Sequence, residues 1–191
     1  MSNCANVYRI SFDVLRQVRG SKDLRLIEAL TEAYPDEDLD YDDDEVRPPA
    51  LSSAFTSIIN GESVEDGSFP VYAVASDLIY GRFGMRLNAN AISQSHSSLL
   101  SEIDQAFDSA GILALLPIFD SSRDPPLLVE SPLDFPSLSH MTPREVAAAR
   151  GAIQAHDWGG SPKYVQEAIA MVAGWIEDAA QHHEGLVCSY G

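Results

Sequence analysis

The sequence predicts a mainly helical α+β fold: one globular domain, residues 1–191, with about six or seven helices and a small sheet. Three observations carry that expectation. A length of 191 residues fits a single domain, and a hydrophobic fraction of 45% is enough for a real core. Apolar residues recur at helical spacing in stretch after stretch, each closed by glycine or proline. Short β-prone runs stand near both ends, Val7–Ile10 and Leu186–Tyr190, so the terminal strands are placed to pair, which would bring Cys4 near Cys188.

In chain order, Val7–Ile10 reads as the first strand, and Ser11 can cap a short helix through Leu15 and Val18, closed by Gly20. Ser21 starts a second helix, with Leu24, Ile27, Leu30 and Tyr34 on one side, ending at Pro35. After Pro48-Pro49 a stripe of Leu51, Ala54, Phe55, Ile58 and Ile59 runs to Gly61. Gly61 to Pro70 is polar and turn-like. Val71, Val74, Ala75, Leu78 and Ile79, flanked by Tyr72 and Tyr80, then form a strongly apolar helix ended by Gly81 and Gly84.

Asn88 to Ser95 reads as a polar connection, and Leu99 to Ala110 as a helix with Gly111 just past its end. Residues 117–139 are proline-rich, but Leu127, Leu128, Val129, Leu133, Phe135 and Leu138 make them an ordered, extended crossing that packs. Thr142-Pro143-Arg144-Glu145 supplies cap, N1 proline and N3 glutamate for another helix. Ser161-Pro162 opens the last and longest one, striped by Val165, Ala168, Ile169, Val172, Ile176, Ala179 and Ala180, which Gly185 can end.

Charge is the strongest functional signal. Twenty-nine acidic against 12 basic side chains give a formal net charge of −17. Within residues 36–45 eight of ten side chains are carboxylates, interrupted only by Leu39 and Tyr41. Setting those eight aside still leaves 21 acids against 12 bases, a balance of −9. Such a field repels nucleic acid and anionic membrane and attracts basic proteins. Crowded like charges also cost free energy in the isolated protein. The acidic loop, residues 36–47, hangs between a helix ending at Pro35 and the rigid Pro48-Pro49, so it is presented rather than trailing. Either it is a solvated face, as charge runs commonly are, or a surface awaiting a cation. The partner-binding candidates are Asp36, Glu37, Asp38, Asp40, Asp42, Asp43, Asp44 and Glu45, with Tyr41 as aromatic anchor.

An EF-hand needs glycine at position 6 and glutamate at position 12. Counting from Asp36 puts Tyr41 and Arg47 there, and counting from Asp38 puts Asp43 and Pro49, so both registers fail. His182-His183 sits at a helix end, His156-Asp157 in a turn, and His96 and His140 are isolated. No HExxH or paired CxxC accompanies them, and no metal is expected. Nucleophile-elbow and phosphate-loop motifs are absent, and nothing singles out a glycosidase carboxylate pair. No catalytic residue and no cofactor is therefore assigned. Trp158-Gly159-Gly160 reads as a packed corner and Trp175 as core. Two cysteines are too few for a disulfide framework, and no signal-peptide or membrane-length apolar stretch is seen, so cytoplasmic residence is expected.

Val7-Tyr8-Arg9-Ile10 with Leu15, Leu115-Leu116-Pro117-Ile118, Asp134-Phe135-Pro136, and the close from Trp175 to Tyr190 with Leu186-Val187-Cys188 resemble an uncharacterised family of small bacterial proteins known only as a domain of unknown function. The resemblance implies a bacterial source and no established activity, and the acidic run is not part of its pattern. In general style, a small acidic chain without catalytic motifs looks like the immunity proteins that accompany bacterial toxins. The expected function is thus a non-enzymatic inhibitor of a basic protein. The alternatives are a small enzyme with an unrecognised carboxylate or histidine site, and a DNA mimic, for which ten residues are short.

Overall fold

A computed structural model describes residues 5–36, 49–62, 69–89, 99–116, 126–127 and 137–190. Its elements run β1 (Ala5–Ile10), α1 (Phe12–Val18), α2 (Leu24–Ala33), α3 (Leu51–Asn60), α4 (Phe69–Phe83), β2 (Met85–Leu87), α5 (Leu99–Ser109), a 3-10 turn (Leu113–Leu115), β3 (Ser137–Met141), α6 (Pro143–Ala155), α7 (Lys163–His182) and β4 (Gly185–Tyr190). The four strands form one antiparallel sheet in the order β2-β1-β4-β3. The terminal strands pair as expected, with Val7 opposite Cys188 and Ala5 opposite Tyr190. Cys4, and hence its distance from Cys188, lies outside the described residues.

The sheet is a wall shared by two cores, because successive side chains on a strand point to opposite faces. Tyr8, Ile10, Leu138 and Val187 face α1 to α4, where they meet Leu15, Leu30, Phe55, Ile59 and Ile79. Val7, Met141, Leu186 and Cys188 face α5 to α7, where they meet Ile103, Phe107, Val146, Ile169, Val172 and Trp175. The mainly helical α+β class therefore holds, with the sheet inside the molecule between two helical layers.

Local signals explain most boundaries. Thr142 and Glu145 form the reciprocal capping box, Thr142 Oγ1 accepting from Glu145 N and Glu145 Oε2 accepting from Thr142 N at 2.7 Å. At the end of α5, Gly111 N donates to Asp108 O and Ile112 N to Phe107 O, the paired bonds of a left-handed helix stop. Along α7 the buried stripe follows the expected one except that Ala180 is only half-buried, and it includes Trp175, whose indole N–H donates to Asn88 O at 2.7 Å.

Several expectations are corrected. Asp23, not Ser21, caps α2, accepting from Arg25 N and Leu26 N. Ser161 caps nothing through its side chain; Pro162 stands at the cap position of α7. The end of α7 is made by His183 in the left-handed region, φ 58°, while Gly185 is already the first residue of β4. Glycine is required there for a different reason. A Cβ at Gly185 would lie 2.6 Å from both Met141 O and a Phe12 ring carbon, so only glycine lets β3, β4 and α1 close together. Leu24 and Val74 were expected in helix stripes but are exposed; at the first position of α2 and on the outer side of α4 neither can reach the sheet. Two edge strands escaped the sequence reading, β2 because three residues show no alternation and β3 because it closes the proline-rich segment. Leu127 and Leu138 of that segment are buried, as expected, while Leu128, Val129, Leu133 and Phe135 lie outside the described residues.

Candidate functional site

The acidic run begins at a residue that is held in place, Asp36. Ala50 stands at the cap of α3 and has no side-chain oxygen to offer the first turn. Asp36, at the other end of the loop, supplies one instead. Its Oδ1 accepts from Ser52 N at 2.9 Å, and its Oδ2 accepts from the Ser52 hydroxyl at 2.7 Å. These bonds hold the Asp36 carboxyl below the usual carboxylate range, the side-chain bond from Ser52 most strongly. Asp36 is thus a structural clasp between the end of α2 and the start of α3. Glu37, Asp38, Asp40, Tyr41, Asp42, Asp43, Asp44 and Glu45 lie outside the described residues.

A second feature is a cleft of about 350 Å³ between α5 and the turn joining α6 to α7. Glu102, Gln105 and Ser109 line it from α5, and His156, Asp157 and Trp158 from the turn. Trp158 is set by an edge contact with Phe107 at 5.6 Å and by its indole N–H, which donates to Ile153 O. The His156 ring lies 4.4 Å from the indole. Asp157 Oδ1 accepts from Gly159 N at 3.0 Å and shapes the turn. The exposed Tyr164 donates to Glu102, which raises the phenol's affinity for its proton. The packed corner expected of Trp158-Gly159-Gly160 is therefore present, and it also forms one wall of a cavity.

The third feature is a polar seam under α4. Asp77 descends from an otherwise apolar helix onto the sheet, where Oδ2 accepts from Asn6 Nδ2 at 3.0 Å and from the Tyr8 hydroxyl at 3.3 Å. Arg86 on β2 lies close enough to act on both Asp77 and Tyr8, and it donates to Asn6 Oδ1. Burial nevertheless dominates and pushes the Asp77 carboxyl above the usual range, against the opposing bonds from Ser189, Tyr8 and Asn6. Asp77 Oδ1 and the nearby Ser76 Oγ are buried without a hydrogen-bond partner among the described residues. The Tyr8 phenol is pushed upward too, mainly by burial and then by the Asp77 charge.

None of the cleft or seam carboxylates was singled out in the sequence. For Asp77 a signal existed: it is the one acidic residue in the apolar run from Phe69 to Phe83, where a solvated charge is out of place. The cleft had none, since Glu102 and Asp157 are far apart in sequence. The histidines stay dispersed. His182 ends α7 beside Arg9 and Asp178, His140 packs its ring 5.7 Å from that of Phe12, and His156 stands in the cleft. No group of three or more metal-ligating side chains is found among the described residues. None of the described helices is long and apolar enough to cross a membrane.

Neither the curated proteins nor the solved structures contain a match to this chain. A family model does match it, over residues 1–191, and the chain therefore belongs to the family described as Domain of unknown function (DUF7691).

Proposed function

We propose that this protein is a non-enzymatic inhibitor that binds a basic protein partner, a cognate bacterial toxin, through the loop containing residues 36–45. One observation carries the reading: eight carboxylates in ten residues, on a chain of net charge −17, are suspended between α2 and α3 with one end clasped by Asp36 onto Ser52. The clasp fixes the residue from which the run departs, and a fixed anchor lowers the ordering entropy lost on binding. Its field accelerates encounter with a cationic surface, and Tyr41 supplies an apolar contact once the surfaces meet. Asp36 itself contributes position rather than contact.

The test separates those roles. Converting Glu37, Asp38, Asp40, Asp42, Asp43, Asp44 and Glu45 to their amides leaves the clasp intact. Association with a toxin encoded beside this gene, or with a basic protein captured from lysate at low salt, should then slow and lose its salt dependence. Tyr41→Ala should instead speed dissociation. Unchanged association kinetics in the amide variant would remove the loop from the interface.

A further inference from the structure

We infer that the cleft between α5 and the α6–α7 turn is a binding site for a guanidinium group. Its size is at the small end of ligand cavities, suited to one side chain rather than a cofactor. Among the described residues Glu102 and Asp157 are its formally charged groups, and no lysine or arginine lines it. Those two carboxylates make the cavity anionic. An indole and an imidazole already packed 4.4 Å apart add flat aromatic surface beside those carboxylates. Carboxylate forks beside aromatic planes fit a planar guanidinium, which takes paired hydrogen bonds and stacks on rings. An ammonium has the charge without the plane. The walls are preformed: Trp158 is fixed on Phe107, Asp157 is held through one oxygen by Gly159, and Glu102 is held by Tyr164.

Two sources could supply the group, a free guanidine or an arginine side chain on another protein. A titration followed by ¹H–¹⁵N NMR, reading the Trp158 indole N–H and the amides of residues 102–109 and 156–161, distinguishes them. Methylguanidinium and a Gly-Gly-Arg-Gly peptide are the two arms, with lysine and citrulline peptides as controls. Saturable shifts confined to the cleft are expected with both arms, about threefold or more weaker binding with lysine, and none with citrulline. Equal affinity of the two arms assigns a small guanidine; tighter binding of the peptide assigns a protein's arginine. Glu102→Gln with Asp157→Asn, which can retain the Tyr164 and Gly159 hydrogen bonds, should weaken binding about fivefold or more. Absence of saturable shifts, or citrulline binding equal to arginine, would overturn the assignment. The amide variant of the acidic loop should titrate identically, so this result stands apart from that of the proposed inhibitor interface.

Discussion

The two faces of the sheet are built from different materials. Towards α5 to α7 the wall is aliphatic and sulfur-bearing, and the buried Cys188 thiol is pushed up to about 12, chiefly by burial. Such a thiol is chemically quiet and acts as a small apolar side chain. Towards α1 to α4 the wall carries Tyr8 and Ser189, and α4 lays Ser76, Asp77, Tyr72 and Tyr80 against that side. The first face gains chiefly from close packing, its polar groups being Ser139, bonded to the Cys188 thiol, and Arg9, paired with Asp178 and Glu184. The second includes polar groups whose burial costs free energy unless every one is bonded, and Asp77 Oδ1 and Ser76 Oγ find no partner among the described residues. Stability should thus respond to volume on one face and to protonation on the other.

The shared wall offers the severest way to break this picture. Gly185→Ala forces a methyl group onto Met141 O and the Phe12 ring, so both cores should lose their common strand. A loss of about 4 kcal/mol or more, or failure to fold, is expected in chemical denaturation. On the apolar face, Trp175→Phe removes the donor to Asn88 O and leaves a gap in the core, and should cost about 2–3 kcal/mol at any pH between 5 and 8. A strongly pH-dependent loss there would erase the contrast between the faces.

Asp77→Asn sharpens it from the other side. The folded carboxyl binds its proton more tightly than the unfolded one, so its contribution is fully present below the ordinary aspartate range. That contribution is lost as pH rises through the raised folded value. The asparagine variant should therefore be more stable than the parent near neutrality, by about 1–2 kcal/mol, with a flatter profile above pH 4. Identical pH profiles for variant and parent would show that the seam is fully compensated. Thr142→Ala, outside both cores, should cost about 1 kcal/mol through loss of its half of the capping box. Thermal melts at two pH values should register the same decrement at each.

What could be read in advance divides along physical lines. Features encoded within a few residues were legible: the Thr142–Glu145 box, the glycine stops of α3 and α5, and the stripe of α7. The pairing of the terminal strands was legible too, because each end carries a β-prone run with nothing else to pair with nearby. Contacts between distant segments were not. Nothing near Asp36 announces Ser52 as its partner, and nothing near Glu102 announces Asp157. Gly185 resembled a helix stop, and only the approach of Met141 and Phe12 reveals why it is glycine.

Placing β4 between β1 and β3 has a consequence for biosynthesis. While the ribosome is still making α7, β1 has β2 to pair with, but β3 has no strand beside it among the described residues. Each helical layer then faces an unfinished wall, with apolar surface open to other nascent chains. Emergence of Gly185–Tyr190 closes both cores in one step. Folding should be slow for a helical protein, set by the longest-range pairing in the molecule. A message truncated just before that strand should yield a chain dependent on chaperones rather than a weakened native protein.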